Sequence, residues 1–267
     1  MAAGAAQSRI VGCSRRYRVP DRVGRERNSW RTLVHDGQRP GVSGEFSGDR
    51  DDRGGAPGQA QRERCADLVQ RRAAIVLETE KTYLVESRLQ PLARREGFVS
   101  IAELVAKLRM SATGELHGKV VEAMTTNETS FFRDVQPFEA LRKAILPELI
   151  AARGKDRRLN IWCGASSTGQ EPYSLAMLLR EHFPQLTTWD VKLVATDLST
   201  DVLARAKEAK YSQLEVNRGL PAAFLPKYFQ RVGLNWQLKD EVRKMIDFRP
   251  LNLIQPWPDL GQPDLVM

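Results

Sequence analysis

The sequence contains few cysteines, and their spacing excludes the usual cysteine-based sites. Its 267 residues include three, Cys13, Cys65 and Cys163, which are scattered along the chain. Metal sites and disulfide frameworks need closely spaced or regularly paired cysteines, so the sequence predicts neither. We interpret Cys163 as a small packed residue.

Long apolar runs are also absent. No segment approaches the roughly 20 apolar residues that cross a bilayer. The N-terminus, where Arg9 is soon followed by Cys13 and Arg15, lacks the apolar core of a signal peptide. The sequence therefore predicts a cytoplasmic protein without membrane insertion.

Lysine is missing from the first 65 residues, which contain 13 arginines, 8 acidic residues and 10 of the 19 glycines. They show no sustained apolar period, so we predict that residues 1–64 are a disordered Arg/Gly-rich extension. This composition is typical of GC-rich DNA translated upstream of a natural start. An RNA-binding arm is the alternative, although no aromatic residues interleave in a stacking pattern. Residues 66–267 carry 28 basic and 25 acidic groups, a near balance that argues against a nucleic-acid partner.

The clearest pattern that is present covers residues 159–179, LNIWCGASSTGQEPYSLAMLL. Alternating apolar residues predict a buried strand, Gly164 and Gly169 predict a tight turn, and Pro172 suits the first turn of a helix. Glycines let the backbone approach a ligand, and free N–H groups at a helix start favour an acceptor. The lysine of a P-loop and the pattern G-x-G-x-x-G are both missing. A nucleotide-cofactor site and a purely structural turn both remain open.

The next apolar run favours the cofactor interpretation. Residues 191–196, VKLVAT, lead into Asp197. The second strand of a dinucleotide-type fold presents an acid to ribose hydroxyls at this point. Asp197 can also cap the helix that follows, and the two roles can coexist.

The segment before this pattern predicts a compact helical domain. Helices are expected over residues 66–77 and 79–96, then from a capping box at Ser100, and last from about His117. Pro91 is expected to kink or divide the second helix.

The second helix also carries Lys81, Arg88 and Arg95 at steps of seven residues. Residues at this spacing lie along one face of a helix. The stripe is either a surface for an acidic partner or an ordinary solvated face.

A dense polar cluster, TTNETSFFRD over residues 125–134, separates the helical domain from the nucleotide pattern. We interpret it as lying outside the core. Phe131 and Phe132 beside Arg133 give an apolar wall and a fixed cation, which suit a zwitterionic ligand. Residues 224–250 alternate and turn at Gly233, which predicts a small antiparallel sheet.

Five motifs follow one another over residues 124–253, within a likeness that runs from about residue 65 to the last residue: MTTNETSFFRD, IWCGASSTGQEPYSLAMLL, ATDLSTDVLARA, YSQLEVNRGLP and FRPLNL. This series resembles the CheR-type chemotaxis receptor methyltransferases, which are S-adenosylmethionine-dependent protein-glutamate O-methyltransferases. The resemblance implies an α/β protein in which a small all-helical domain precedes a Rossmann-like methyltransferase domain with a small antiparallel β insertion. It implies a receptor-recognition domain over residues 65–134, a methyltransferase domain over 135–267, and a β-subdomain at about 224–250.

The resemblance also implies roles for individual residues. Seven are expected to bind S-adenosylmethionine, with Asp197 on the ribose and Asn252 and Leu253 beside the adenine: Asn127, Thr129, Arg133, Glu171, Asp197, Asn252 and Leu253. Arg133 is the expected catalytic residue and orients a carboxylate of the cofactor or of the substrate. The stripe of Lys81, Arg88 and Arg95 is expected to meet the receptor. Gln170 replaces a glutamate usual in the family, which Glu171 should make tolerable.

The implied partner is the cytoplasmic helical domain of a methyl-accepting chemotaxis receptor, and the protein is expected to be a monomer. The hairpin turn VGLN is short, so we do not expect it to grip a receptor tether. In relatives the chain continues past the equivalent of Met267 through a Cys-Arg-Asn segment, so we expect this chain to be truncated and inactive. The alternative to an enzyme is then a noncatalytic remnant that binds receptor or cofactor. A nucleic-acid methyltransferase, the other alternative, would need an Asn-Pro-Pro-Tyr-like motif that is missing here.

Overall fold

The computed structural model of the chain describes residues 9–10, 58–77, 83–110 and 114–267. Lys81 and Cys13 lie outside these ranges, and so does most of the predicted extension over residues 1–64.

In the described residues of the first domain there are four helices, and each contributes an apolar face to one core. They are α1 (Gln59–Ala73), α2 (Tyr83–Arg95), α3 (Ile101–Arg109) and α4 (Glu115–Met124). The apolar stripe predicted for the second helix is confirmed, since Val85, Leu89 and Leu92 are all buried. Ser100 caps helix α3, as predicted, since its hydroxyl accepts a hydrogen bond from the N–H of Glu103 at 3.2 Å.

Two details of these helices differ from the prediction. Helix α1 begins at Gln59, several residues before the predicted start. The apolar pattern did not indicate its first turns because they are polar, and Cys65 is the first buried residue of the helix. Helix α2 continues through Pro91 without being divided. Pro91 is exposed, whereas Leu89, Leu92 and Ala93 are buried against the other helices, and this packing holds the helix together where one backbone hydrogen bond is lost.

The second domain alternates helices and strands, as the sequence predicted. Its elements before the middle of the domain are α5 (Val135–Ala140), a π-helical turn (Leu141–Ile145), α6 (Leu146–Arg153), β2 (Arg158–Cys163), α7 (Gln170–His182), a 3-10 turn (Pro184–Thr188) and β3 (Asp190–Asp197). They are followed by α8 (Thr200–Glu208), β4 (Lys210–Ser212), α9 (Gln213–Asn217), α10 (Phe224–Tyr228), β5 (Phe229–Val232), β6 (Asn235–Leu238), α11 (Asp240–Arg243), β7 (Ile246–Pro250) and β8 (Leu265–Val266).

The main sheet is parallel and has the order β1-β8-β2-β3-β7, where β1 is the pair Arg9–Ile10. In its register Cys163 lies opposite Ala195 and Asp197 lies opposite Pro250. The loops that follow β2, β3 and β7 therefore leave the same edge of the sheet. In parallel sheets of this kind, ligands bind at that carboxyl edge.

The small antiparallel sheet is present, but it includes different residues from those predicted. Its order is β4-β6-β5, so it recruits β4 (Lys210–Ser212) from outside the predicted range of 224–250. Conversely, Ile246–Pro250 at the end of that range is β7 of the parallel sheet. A three-residue strand is too short to show a period in sequence, which is why β4 was missed.

Within the described residues, no helix is both long and apolar enough to cross a membrane. The same residues contain no group of three or more His, Cys, Asp or Glu side chains that could hold a metal ion.

Candidate cofactor site

The carboxylate of Asp197 organises the loops at the carboxyl edge of the sheet. Its Oδ2 accepts a hydrogen bond from the N–H of Ser167 at 2.8 Å, and its Oδ1 accepts one from the N–H of Ser199 at 2.9 Å. The side chain is buried. Asp197 thus joins the loop after β2 to the loop after β3, and each of its oxygens keeps a lone pair for a further donor.

The sequence suggested that Asp197 could cap the helix that follows it, but in the structure it does not. The N-cap of α8 is Ser199, whose hydroxyl accepts from the N–H of Val202 at 3.4 Å. The carboxylate instead reaches across the sheet edge to the N–H of Ser167 in the loop after β2.

Serine hydroxyls connect the segment 125–134 to the loop after β2 and to α7. Ser167 Oγ donates to the carbonyl of Asn127 at 2.9 Å. Ser174 Oγ accepts from the N–H of Phe132 at 2.9 Å and donates to the carbonyl of Gln170 at 2.6 Å. The sequence indicated no role for these two serines, although one of the family-like motifs, IWCGASSTGQEPYSLAMLL, contains both.

A cavity of about 160 Å³ opens between these loops. It brings together four residues predicted to bind cofactor, namely Asn127, Asp197, Asn252 and Leu253. Ala73 and Ile75, which follow from α1, line it from the helical domain. Thr129, Arg133 and Glu171 do not line it.

The loop also contains a buried hydroxyl, that of Ser166, which makes no hydrogen bond to the described residues. Ser166 is 2% exposed, and its Oγ is the one buried side-chain polar atom among the described residues without a hydrogen-bond partner. Burying an unpartnered hydroxyl is costly, and such groups occur where a ligand or water completes the site. Ser166 does not itself line the cavity, but the adjacent Ala165 does, and Asn127, Asp197 and Asn252 of the lining fit a ligand with several polar groups.

Charged groups gather at the start of α7. Glu171 lies in the first turn of that helix, and burial raises the pKa of its carboxyl, an effect that nearby Arg133 opposes. Arg133 is exposed and donates from Nη1 to the carbonyl of Glu128 at 3.0 Å. The Glu128 carboxylate pairs with Arg218, which holds its pKa below the usual value. A carboxylate and a guanidinium in such proximity suit the ammonium and carboxylate of an amino acid.

Two family models match the chain, and their boundary falls between the two domains. The model for the all-alpha domain of CheR methyltransferases matches residues 60–125, and the model for their SAM-binding domain matches residues 127–267. The chain belongs to the CheR methyltransferase family. Its cofactor is S-adenosylmethionine, and its fold class is confirmed as the one that the resemblance implied.

Curated relatives agree with this assignment. The chain is 44% identical over 204 residues to chemotaxis protein methyltransferase 1 of Pseudomonas aeruginosa, a match that covers 74% of this chain and 73% of the relative. It is 39% identical to chemotaxis protein methyltransferase Cher2 of Pseudomonas putida, over 74% of each chain. It is 37% identical to the chemotaxis protein methyltransferase of Vibrio anguillarum, over 74% of this chain and 72% of the relative.

One interpretation of this CheR sequence was wrong. Phe131 is not part of a ligand wall, because its side chain is completely buried with ring centroids 5.0 Å from Tyr211 and 5.7 Å from Phe229. Phe132 packs on Phe138 at 5.0 Å. The two aromatics anchor the segment 125–134 in the core, and of the three residues Phe131, Phe132 and Arg133 only Arg133 is exposed.

Gln170, which replaces a glutamate usual in the family, lies inside the protein. It is 2% exposed, and its Oε1 accepts a hydrogen bond from Thr168 Oγ1 at 2.7 Å. A neutral amide suits this buried position better than a carboxylate would, because burial of a charge is costly. The substitution leaves the adjacent Glu171 unchanged in the first turn of α7.

The predicted basic stripe is dispersed in the structure. Arg88 Nη1 donates to the carbonyls of Met124 at 2.7 Å and Thr125 at 3.0 Å, and its Nη2 donates to Thr126 Oγ1 at 3.3 Å. Arg95 is exposed and lines a large cleft between the domains, whereas Lys81 lies outside the described residues. Arg88 therefore holds the end of α4 and the segment that leads to Asn127, and receptor binding by the stripe stays a prediction.

These contacts predict that Arg88→Lys lowers stability although it keeps the charge. One ammonium group cannot reach three acceptors that a guanidinium fork spans, so we expect a loss of about 1 to 2 kcal/mol in the free energy of unfolding. Denaturant unfolding measures it, with the exposed Arg95→Lys as the control. If Arg88→Lys is as stable as wild type but methylates receptor more slowly, Arg88 contacts the receptor and does not serve mainly to hold the fold.

Proposed function

We propose that this chain transfers the methyl group of S-adenosylmethionine to glutamate side-chain carboxylates of chemotaxis receptors. The family assignment carries this proposal, and nothing in the described residues favours the noncatalytic alternative. The bound cofactor supplies a methyl group on a positively charged sulfur, which a glutamate oxygen attacks as the carbon–sulfur bond breaks. The products are a neutral methyl ester and a neutral thioether.

The proposal assigns the chain's residues to positioning rather than to acid–base chemistry. A glutamate carboxylate is already ionised at neutral pH, so no base has to remove a proton. Asp197 accepts from the ribose hydroxyls, Asn252 and Leu253 flank the adenine, and Asn127 forms the wall opposite them. Glu171 takes the cofactor's ammonium group. Thr129 is half-buried in the segment anchored by Phe131 and supports this end of the site.

Arg133 is the proposed catalytic residue, because it is a guanidinium beside the cofactor end of α7 with its side chain open to solvent. Its single hydrogen bond to the Glu128 carbonyl uses Nη1, and the other donors of the fork can take a carboxylate. Alignment of that carboxylate with the methyl group is the main task in such a transfer.

The receptor helix is proposed to dock in the cleft between the domains. This cleft has a volume of about 960 Å³ and adjoins the cofactor cavity through Leu198, Leu251 and Asn252. Its helical wall holds four basic residues, Arg71, Arg72, Arg95 and Lys119, and two acidic ones, Glu115 and Glu122. A helix with acidic side chains fits such a wall.

We expect Arg133→Lys to slow methylation about 10- to 100-fold, because a lysine keeps the charge but cannot fix two oxygens of a carboxylate. Labelled S-adenosylmethionine and a receptor cytoplasmic fragment give alkali-labile methyl ester as the readout. A fragment with glutamine in place of its methylated glutamates should give none. Arg158→Lys, at the opposite end of β2, is the control. Equal rates for both variants and wild type would remove Arg133 from the site, whereas no ester from wild type would contradict the proposed function.

A further inference from the structure

A contact between Glu122 and Thr200 joins the two domains beside the cofactor cavity. Glu122 Oε1 accepts hydrogen bonds from the N–H of Thr200 at 2.6 Å and from its hydroxyl at 3.0 Å. Glu122 lies in α4, and Thr200 is the first residue of α8. A carboxylate from the helical domain thus meets a free N–H group at the start of a helix in the methyltransferase domain, where negative charge is stabilising.

This contact supplements a weak cap. Within α8, Ser199 accepts from the N–H of Val202 at a distance of 3.4 Å, which is long for a hydrogen bond. The first N–H groups of a helix have no acceptor inside it. The N–H of Ser199 also donates to Asp197, which lines the cavity. Glu122 therefore fixes one end of the short loop between β3 and α8, and the other end of this loop lines the cavity.

A second hydrogen bond between the two domains also lies beside the cavity. Asn252 Nδ2 donates to the carbonyl of Arg72 at 2.8 Å, directly before Ala73, which lines the cavity. The proposed adenine side of the site therefore has walls from both domains. A shift of the helical domain relative to α8 changes the shape of this cavity.

The two binding regions share this boundary. Glu122 and Thr200 line the large cleft, and Leu198, between Asp197 and Ser199, lines both the cleft and the cavity. A segment that fills the cleft removes water from the Glu122 carboxylate and strengthens its hydrogen bonds, since electrostatic attraction rises as the local dielectric constant falls.

We propose that Glu122 is a positioning residue that couples receptor docking in the cleft to cofactor affinity. This inference rests on the proposed function, because it takes the receptor as the ligand of the cleft. Docking holds α4 on α8 and thereby stabilises the cavity that binds the cofactor. Because coupling between two binding sites is reciprocal, bound S-adenosylmethionine raises the affinity for receptor by the same factor.

Titration calorimetry with S-adenosylmethionine, with and without a receptor cytoplasmic fragment, tests the coupling. In wild type we expect the fragment to lower the dissociation constant about fivefold or more. In Glu122→Ala the cofactor should bind about fivefold more weakly, and the fragment should have no effect. Glu122→Gln keeps an oxygen acceptor without the charge and should lie between the two.

Glu103→Ala is the matched control. The Glu103 carboxylate accepts the N–H of Val99 at 2.8 Å, so it makes the same kind of contact inside the helical domain alone. We expect this variant to melt at a lower temperature and to keep the full effect of the fragment on cofactor affinity. A general loss of stability therefore cannot imitate the loss of coupling.

The coupling is overturned if the fragment leaves the cofactor affinity of wild type unchanged, or if Glu122→Ala responds to it as wild type does. Methylation of the same fragment by wild type is measured separately. Methylation without coupling would refute the role of Glu122 and leave the proposed function intact. Absence of methylation would refute the proposed function, whatever the calorimetry gives.

Discussion

Asp197→Asn is expected to weaken S-adenosylmethionine binding about 10- to 150-fold, which corresponds to roughly 1.5 to 3 kcal/mol for hydrogen bonds to a charged group. The carboxylate accepts from the N–H groups of Ser167 and Ser199, and an asparagine places an NH₂ group against one of these donors. The two loops then separate at the point where the ribose is proposed to bind. The neutral amide also accepts a ribose hydroxyl more weakly than a carboxylate does.

Calorimetric titration with S-adenosylmethionine measures this loss. Asp190→Asn is a suitable control, because Asp190 begins the same strand, is exposed and pairs with Arg158 across 3.3 Å. Exposed ion pairs contribute little to stability, so the control should bind cofactor like wild type. An Asp197→Asn variant with unchanged affinity would place the ribose elsewhere.

The parts of the fold that were predicted correctly are those in which burial follows a regular period. Leu159, Ile161 and Cys163 alternate in sequence and are all buried in β2. The order of strand, glycine-containing loop and helix then places Asp197 and the loop after β2 at one edge of the sheet, because parallel strands end on the same side. Local sequence is sufficient for such features.

Features decided by distant partners were not predicted. Phe131 lies in a polar stretch, and its burial depends on Tyr211 and Phe229, which are far away in sequence. Helical spacing places Arg88 in a basic stripe, but it does not reveal that the carbonyls of Met124 and Thr125 return to meet its guanidinium. In both cases the residue type permits two environments, and tertiary contacts select between them.

The proposed site also contains some residues that the sequence predicted and others that it did not. The resemblance named Asn127, Asp197, Asn252 and Leu253, which line one cavity. It did not indicate that Ala73 and Ile75 of the helical domain complete that cavity, because these are ordinary apolar residues at the end of a helix. The helical domain is therefore part of the wall of the cavity as well as the proposed partner of the receptor.

Among the described glycines, Gly219 is the one at which replacement by alanine should lower the stability of the protein most. Gly219 has a φ of +90°, and a Cβ at this position would lie 2.0 Å from the carbonyl oxygen of Phe131. That oxygen belongs to the backbone and cannot rotate away. We expect a loss of about 3 kcal/mol in the free energy of unfolding, from left-handed strain together with overpacking.

The same substitution at Gly233 separates these two effects. Gly233 has a φ of +62°, and a Cβ there meets no described atom within 4 Å, so Gly233→Ala should cost about 1 kcal/mol from strain alone.

In Gly219→Ala the displaced Phe131 carbonyl also moves Phe132 and Arg133, so the folded fraction should methylate receptor more slowly. Denaturant unfolding and ester formation per folded molecule measure the two consequences. Equal stability losses for both variants would mean that the loop at Gly219 moves to accommodate the methyl group. An unchanged methylation rate in Gly219→Ala would mean that the position of Arg133 does not depend on the contact between this loop and the segment 125–134.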